Sequence, residues 1–482
     1  MTNEVMMQAF EWETNADGNF YKNLIKNAHE LKENGIDALW LPPMCKGTSD
    51  MDVGYGIYDL WDLGEFDQKG TVRTKYGTKE ELLQAIDALH KEGIKVYADV
   101  VLNHKAGADF AEEFEAVMVD QNDRNKEVEA KKTIKGWTGF DFKNRKGKYS
   151  DFVWHYYHFS GVDYDENTKT NAVYRIIGEN KYWNSGVSSE NGNYDYLMNA
   201  DIDHSHPEVK EEIYKWIDWF LDTTKVDGIR YDALKHIDYD FIEGLSNHIL
   251  EKKGDNFYFI GEYWKNDEGT INKYLDETNW NIDLFDVPLH YNFKEASESG
   301  RDYDMRKIFD DTLMRDYTQN CVTFVDNHDS QPSQSLESWV KDWFKEIAYS
   351  IILFRKDGYP CIFAGDYYGI GGENKIPGKK EMLDKMIAIR KKYAYGEQDD
   401  YFDHSQVVGW VRRGEEGKSP LVVLITTADD AQKQMFVGKE NKNSVFIDIS
   451  GKVKEEVRID KEGNGVFKVN AGSVSYWVKK ED

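Results

Sequence analysis

Four short segments in the middle of the chain each combine an apolar stretch with acids or histidines. They are residues 99–104 (DVVLNH), 228–232 (GIRYD), 259–262 (FIGE) and 324–329 (FVDNHD). Apolar runs of this length are typical of buried parallel strands. In a barrel of alternating strands and helices, the C-terminal ends of the strands converge on one mouth. The order therefore predicts that Asp232, Glu262 and Asp329 meet there, and these are the carboxylates that a retaining glycosidase needs.

Strand-like and helix-like patterns alternate through about the first 390 residues. Thr78 to Glu81 form a capping box that predicts the start of a helix. After His104 the alternation breaks for about 100 residues rich in Asn, Asp, Gly and Tyr, which is too long for a loop in a compact domain. Eight strands and roughly eight helices can be counted. We therefore expect an α/β fold, a (β/α)8 TIM barrel with a small β-rich domain inserted after strand 3.

The sequence pattern changes again at about Tyr395. Seven short apolar segments follow, separated by Gly, Asn, Lys and Asp, and this spacing favours a C-terminal antiparallel β-sandwich packed on the barrel. The expected domains are the first part of the barrel, the inserted domain, the second part of the barrel and the sandwich. Their predicted ranges are 1–104, 105–206, 207–394 and 395–482.

Composition narrows the partners and the cellular setting. The 482 residues carry a formal net charge of −27 and no basic cluster, which disfavours nucleic acids and anionic membranes as partners. Cys45, Cys321 and Cys361 are far apart and are expected to be buried thiols. The N-terminus shows no signal peptide, and no apolar run approaches the ~20 residues of a membrane span. We expect a cytoplasmic monomer; removal of a leader before residue 1 would leave the same start on a secreted protein.

The residues at the predicted strand ends suit specific chemistry. Arg230 and Asp232 lie two apart on one strand and so face the same side, where the guanidinium would favour an ionised nucleophile. Glu262 lies among aromatic residues, and partial burial would keep it protonated as a general acid. Asp329 could stabilise a distorted sugar ring. Each has a plainer alternative: an ion pair filling the barrel, or a structural hydrogen-bond acceptor.

Together these segments resemble the four signature regions of the alpha-amylase family of retaining glycosidases. Three further stretches are similar to the bacterial liquefying-type members of that family, and the resemblance spans nearly the whole chain. These stretches are residues 54–66 (GYGIYDLWDLGEF), 193–198 (NYDYLM) and 285–290 (FDVPLH).

The resemblance implies a role for each site residue. Asp232 would be the nucleophile, Glu262 the acid/base and Asp329 the transition-state stabiliser. Six further residues would contact the sugar: Tyr55 by stacking, Lys235 and Trp264 on the aglycone side, and His104, Arg230 and His328 by hydrogen bonds.

The resemblance also implies one structural calcium ion between barrel and insert. Its ligands would be Asn103, Asp195, Asp201 and the carbonyl of His236, and such oxygen donors suit calcium. In a segment this rich in Asn and Asp, ordinary turn formation is the alternative for the two aspartates.

Relatives of this type carry a second calcium and a bridging sodium, held by additional aspartates. Here Ser160, Asn184 and Ser205 stand at the corresponding places, and only Asp203 keeps a carboxylate. Fewer anionic ligands predict that this cluster is absent or weak. A further site between barrel and sandwich is equally unsupported, because the expected ligand positions hold Arg301, Ser405 and Gln406.

The expected function is endo-hydrolysis of internal alpha-1,4 bonds in starch, glycogen or maltodextrins. A glucanotransferase or a maltooligosaccharide-forming enzyme of the same family is the nearest alternative, since loop shape decides the acceptor. A non-catalytic glycan-binding relative is the alternative from another class, although it would not need three acids.

Overall fold

Strands and helices alternate in the first part of the chain, as the sequence predicts. The computed structural model describes residues 3–373 and 375–481. The Thr78 side chain accepts a hydrogen bond from the backbone N–H of Glu81, and the Glu81 carboxylate accepts one from the backbone N–H of Thr78, so the predicted capping box forms. The elements of this part are β1 (Met6–Gln8), α1 (Phe20–Glu33), β2 (Ala38–Leu41), β3 (Lys46–Gly47), β4 (Ile57–Asp59), α2 (Lys79–Lys91) and β5 (Lys95–Val100).

The long irregular stretch after β5 forms a sheet of its own. Its six strands pair antiparallel in the order β6-β11-β9-β10-β7-β8. The outermost pair brings Asp201 on β11 opposite His104 on β6, so the insert returns to the barrel beside the end of β5. The strands are β6 (His104–Lys105), β7 (Phe110–Met118), β8 (Lys132–Gly139), β9 (Phe159–Asp165), β10 (Thr170–Ile176) and β11 (Ala200–Ile202).

The chain then resumes the barrel pattern. The strand Asp283–Phe285 ends where the next helix begins, because Asp286 caps that helix by accepting from the backbone N–H of Leu289 and Pro288 suits its first turn. The elements are α3 (Pro207–Thr224), β12 (Gly228–Tyr231), α4 (Tyr239–Lys253), β13 (Tyr258–Gly261), α5 (Glu268–Glu277), β14 (Asp283–Phe285), α6 (Val287–Ser299), α7 (Leu313–Asp316), β15 (Cys321–Phe324), α8 (Asp342–Phe354), β16 (Tyr359–Phe363), α9 (Ala364–Tyr368), β17 (Gly369–Ile370), β18 (Ile376–Pro377) and α10 (Lys380–Tyr393).

Eight parallel strands close into a barrel, which confirms the predicted (β/α)8 fold. Their order is β1-β2-β5-β12-β13-β14-β15-β16, and β16 pairs with β1 through Met6 opposite Cys361. The strands are buried almost throughout and consist mainly of apolar residues, as strands covered on both faces should be. All eight run in the same direction, so their C-terminal ends share one mouth.

The C-terminal part is antiparallel β-structure. Six strands form a sheet in the order β19-β20-β21-β26-β23-β24, and β22 pairs with β25 beside it. All seven predicted segments contain strands; β19 was not predicted, because its QDDY sequence lacks an apolar pattern. The strands are β19 (Gln398–Tyr401), β20 (Val407–Arg412), β21 (Leu421–Thr426), β22 (Ala431–Phe436), β23 (Val445–Asp448), β24 (Val457–Arg458), β25 (Asn464–Val469) and β26 (Ser473–Lys479).

The C-terminal sheet packs on helix α8 of the barrel. Tyr476 on β26 donates a hydrogen bond from its hydroxyl to Glu346 at 3.0 Å, and Lys452 pairs with the same carboxylate at 2.7 Å. The four domain ranges given above stay a prediction. The three cysteines are buried and unpaired, as expected. Among the helices of residues 3–373 and 375–481, none has the length and apolar character required to cross a membrane.

Candidate active site

The C-terminal ends of β5, β12 and β13 bring acids from three segments together. Arg230 on β12 lies opposite Asp99 on β5 and Ile260 on β13 in the strand register. Asp232 follows β12 directly, and Glu262 follows β13. Because side chains alternate along a strand, Arg230 and Asp232 face the same side, as their spacing predicts.

The Arg230 guanidinium is the centre of this arrangement. Its Nη1 donates to Asp99 at 2.9 Å and to Asp232 at 2.6 Å, and its Nη2 donates to Glu262. The Arg230 side chain has no exposed surface. Charge-assisted hydrogen bonds from one planar group to three carboxylates fix the positions of all three. One buried cation therefore aligns the two carboxylates predicted as nucleophile and acid.

Burial and repulsion favour the protonated forms of Glu262 and Asp329. Burial is the main cause that raises the pKa of Glu262 to about 7; repulsion from Asp232 and Asp99 adds to it, while Arg230 opposes it. Burial and repulsion from Glu262 raise the pKa of Asp329 well above its usual value. A buried carboxyl that stays protonated near neutral pH is suited to act as a general acid.

His328 and two aromatic rings form a parallel stack beside the acids. The Tyr55 ring lies 5.1 Å from the His328 ring at an interplanar angle of 10°, and Trp12 lies 6.0 Å from Tyr55 at 3°. The Gln8 amide donates to His328 Nδ1 at 2.9 Å, so the hydrogen of the neutral ring sits on Nε2, 3.3 Å from Asp329. Burial, reinforced by Arg230, lowers the pKa of His328 well below its usual value.

His104 holds the backbone of Tyr55, one member of this stack. Its Nε2 lies 2.8 Å from the backbone carbonyl of Tyr55, which can only accept, so Nε2 carries the hydrogen. The Tyr55 hydroxyl in turn donates to Asp99 at 2.8 Å. His104 thus fixes the backbone of the stacked tyrosine, and the contact with sugar expected for it stays a prediction.

Lys235 and Trp264 lie next to each other, and the contact with sugar expected for them stays a prediction. Lys235 Nζ donates to the Trp264 carbonyl at 3.2 Å and pairs with Glu190 of the insert at 3.4 Å. Lys265 pairs with the other oxygen of Glu190 at 2.9 Å. The Trp264 indole donates to the Tyr291 hydroxyl at 3.2 Å. The insert and the barrel therefore meet at the rim of this mouth.

The predicted calcium ligands lie at the junction between insert and barrel. Asn103, Asp195 and Asp201 are each only 1% exposed. Burial, with mutual repulsion, raises the pKa of Asp201 well above its usual value, and burial raises that of Asp195 to about 7. The Asn103 Oδ1 atom is buried and has no hydrogen-bond partner among the described residues. His236 Nδ1 donates a hydrogen bond to the carbonyl of Tyr194, 2.7 Å away and next to Asp195 in the chain. Two uncompensated carboxylates and an orphaned amide oxygen fit a hard divalent cation.

The neutral residues at the neighbouring positions each bind one aspartate. The Ser160 hydroxyl donates to Asp201. Asn184 donates from its backbone and its side chain to Asp195, both at 2.9 Å. Ser205 binds Asp203 through its backbone N–H and its hydroxyl, at 3.1 and 2.5 Å. The substitutions that weaken the expected metal cluster therefore supply hydrogen bonds to the acids that remain.

The residues between barrel and C-terminal sheet also contact one another directly. Arg301 pairs with Asp429 at 3.1 Å, and the Gln406 amide donates to the Arg301 carbonyl at 2.9 Å. The Ser405 carbonyl accepts from the backbone N–H of Met305 at 2.7 Å. A guanidinium beside the acid disfavours a metal ion here, in line with the sequence expectation.

One side-chain cluster with potential metal ligands was not predicted. In the described part of the chain, His158, His206 and Glu208 bring ligand atoms within 4.8 Å of one another. The backbone N–H of His155 donates to His158 Nδ1 at 2.9 Å, so Nε2 of the neutral ring keeps its hydrogen and lies 3.0 Å from Glu208. A metal would need the Nε2 lone pair, so this tautomer favours a hydrogen-bonded pair over a metal site.

Sequence reasoning missed two residues of the active-site cluster. Asp99 accepts from Arg230, Tyr55 and the Trp40 indole, the last at 3.0 Å. The sequence does indicate a buried partner for Asp99, because an acid inside an apolar strand needs one. Trp12 has no such signal, because its position in the stack depends on the closure of the barrel.

Comparison with known proteins identifies the family. The family model for the alpha-amylase catalytic domain matches residues 21–446. The chain is 50% identical to an alpha-amylase of Bacillus licheniformis over 99% of this chain and 94% of that protein. It is 49% identical to a glucan 1,4-alpha-maltohexaosidase of Bacillus sp. (strain 707), over 99% and 93%. It is 39% identical to the cytoplasmic alpha-amylase of Escherichia coli (strain K12), over 100% of both. The chain therefore belongs to the alpha-amylase family.

Proposed function

We propose that this chain is an endo-acting alpha-amylase that hydrolyses internal alpha-1,4-glucosidic bonds with retention of configuration. The observation that carries the proposal is the Arg230 guanidinium, which contacts both Asp232 and Glu262 at the barrel mouth. Identity of about one half to two bacterial amylolytic enzymes over nearly the full chain supports it. The substrate is an alpha-glucan such as starch, glycogen or maltodextrin.

The proposed mechanism is a double displacement. Glu262 donates its proton to the glycosidic oxygen while Asp232 attacks the anomeric carbon, which forms a covalent glycosyl-enzyme and releases the leaving chain. The ionised Glu262 then takes a proton from water, which attacks the same carbon and releases Asp232. Asp329 and His328 stabilise the distorted ring, and Tyr55 stacks on it.

Stereochemistry tests the mechanism. Double displacement predicts alpha-anomers as the first reducing ends, and proton NMR of a fresh digest detects them directly. Beta-anomers at early times would contradict the assignment of Asp232 as nucleophile.

The two roles can be separated with an activated substrate. Asp232→Asn and Glu262→Gln should each lower the rate on starch by several powers of ten. Glu262→Gln should still form a glycosyl-enzyme from a glycosyl fluoride, whose leaving group needs no proton, whereas Asp232→Asn should not. Equal loss on both substrates in Glu262→Gln would show that Glu262 is not the acid.

The product pattern distinguishes this activity from its nearest alternatives. The similarity to a maltohexaosidase makes preferential release of one maltooligosaccharide the second candidate. A time course from a long maltooligosaccharide separates the cases, because endo-cleavage gives mixed products, end-on trimming gives one, and disproportionation gives chains longer than the substrate.

We further propose that Asn103, Asp195, Asp201 and the His236 carbonyl hold one calcium ion. The orphaned Asn103 oxygen and the burial of the Asp195 and Asp201 carboxylates support this set. When bound, the ion supplies positive charge that ties the insert to the barrel next to β12. Metal analysis after dialysis against trace calcium should give about one ion per chain; a ratio of zero with full activity would remove calcium from the proposal.

Two further expectations concern the setting. The 39% identity to an E. coli enzyme that is named as cytoplasmic supports a cytoplasmic location. We propose a monomer without nucleic-acid or membrane partners. Fractionation of the source cells and light scattering of the purified protein test these points.

A further inference from the structure

The junction between insert and barrel holds three buried carboxylates and one buried ammonium. Asp195, Asp201 and Asp203 are 1%, 1% and 4% exposed. Lys181 Nζ lies 2.6 Å from Asp203 Oδ2, and the side chains of this pair are 8% and 6% exposed. In the described part of the chain, Asp195 and Asp201 have no basic side chain within 4.0 Å. The lysine therefore compensates one of three negative charges.

Lys181 binds its surroundings in the way a metal ion would. Its ammonium donates to the Asp203 carboxylate and, at 3.1 Å, to the backbone carbonyl of Phe159. These are a carboxylate and a carbonyl oxygen, the donors that hard cations prefer. Phe159 begins strand β9 and Asp203 follows strand β11, so the ammonium bridges two strands of the insert where it meets the barrel.

Both carboxylate oxygens of Asp203 already accept hydrogen bonds. Ser205 occupies its Oδ1 through two hydrogen bonds, while Lys181 occupies its Oδ2. Asp195 and Asp201 differ, because their chain partners are neutral donors only, Asn184 and Ser160 among them. Buried charges need compensation by opposite charge. Subtracting one positive charge from three negative ones leaves two, which one divalent ion balances.

We propose that the Lys181 ammonium is the built-in second cation of this acid cluster, so that the junction requires one divalent ion and not two. This inference rests on the proposed calcium site at Asp195 and Asp201. Its consequence is that loss of the ammonium creates a second, weaker cation site formed by the Asp203 carboxylate, the Phe159 carbonyl and the Ser205 hydroxyl.

The test compares Lys181→Met with Lys169→Met. Both remove a lysine of the insert, but the Lys169 side chain is 63% exposed and pairs with Glu166 at the surface. Calcium stoichiometry and melting temperature are measured over a calcium titration. Wild type and Lys169→Met should bind one ion, and their melting temperatures should stop rising once it is bound. Lys181→Met should melt several degrees lower in trace calcium and regain stability with a second ion, of Kd about 10⁻⁴–10⁻³ M.

A double variant keeps the test decisive if Lys181→Met does not fold. Lys181→Met/Asp203→Asn removes both charges, so it should fold, bind one ion and melt above Lys181→Met in trace calcium. A single ion in Lys181→Met at millimolar calcium, with the stability of Lys169→Met, would overturn the role of Lys181. A wild type that binds no ion would instead overturn the calcium site, and a wild type that binds two would overturn the charge balance.

Discussion

Replacing Asp99 by Asn should shift the pH dependence of catalysis without touching a residue proposed to react. Asp99 is buried, shares Arg230 with Glu262, and raises the pKa of Glu262 by charge repulsion. Only protonated Glu262 can act as the acid, so kcat/KM should fall as the pH rises through its pKa of about 7. Without the charge of Asp99 this pKa decreases, and the basic limb should move to lower pH.

The size of the shift follows from the geometry around the guanidinium. At an effective dielectric constant of about 20, two charges 4 Å apart interact by about 4 kcal/mol. Asp99 and Glu262 bind different nitrogen atoms of Arg230, and the positive charge they share offsets part of their repulsion, so a net repulsion of about 1–2 kcal/mol, or roughly one pKa unit, is expected. The Trp40 indole also loses the acceptor oxygen of Asp99, at a stability cost of about 1–3 kcal/mol.

The assay is a pH profile of kcat/KM on a soluble maltooligosaccharide, with urea unfolding as a check on the fold. Asp87→Asn is the matched control, because it removes the same charge from an exposed position on α2 that pairs with Lys91. The basic limb of Asp99→Asn should lie about one unit below that of wild type and Asp87→Asn. An unchanged limb, or equal shifts in both variants, would refute the coupling between Asp99 and Glu262.

Three further outcomes test other contacts. Lys235→Met should move the basic limb of the kcat/KM profile to higher pH, because the ammonium of Lys235 lowers the pKa of Glu262 and its loss lets that pKa rise. A shift of the limb to lower pH would contradict this. Lys345→Met should cost about 3–5 kcal/mol in urea unfolding, since it leaves Asp326 and Asp366 buried without their shared cation; a loss below 1 kcal/mol would contradict it. Asp201→Asn should lower the melting temperature to that of the chelated wild type and abolish any further response to chelator, whereas a persisting response would place the calcium ion elsewhere.

Local sequence patterns were sufficient to predict the barrel and the face on which its acidic side chains lie. The apolar runs before Asp232, Glu262 and Asp329 predict parallel strands, and one period-2 rule correctly puts Arg230 and Asp232 on the same face. The Thr78 capping box likewise predicts the start of α2 to the residue. In each case the information lies within a few residues of the feature.

Contacts between distant segments were not predictable in the same way. Lys181 meets Asp203 through the folding of the insert, and a lysine in a polar stretch normally signals an exposed side chain. The strand β19 carries two aspartates, and it is held by its pairing with β20 and by the ion pair between Asp400 and the distant Arg355. The calcium ligands and the contacts with sugar expected for Tyr55 and the other cleft residues stay predictions.

Closure of the barrel between β1 and β16 has a consequence for folding during synthesis. Strand β1 leaves the ribosome first, but one of its two neighbours, β16, begins only at Tyr359. At a synthesis rate of about 5–20 residues per second, one edge of β1 stays unpaired for roughly 20–70 s before its partner strand is made. Unpaired edges of apolar strands invite association with other chains. A chain that stops before Tyr359 should therefore aggregate and not accumulate as a folded fragment.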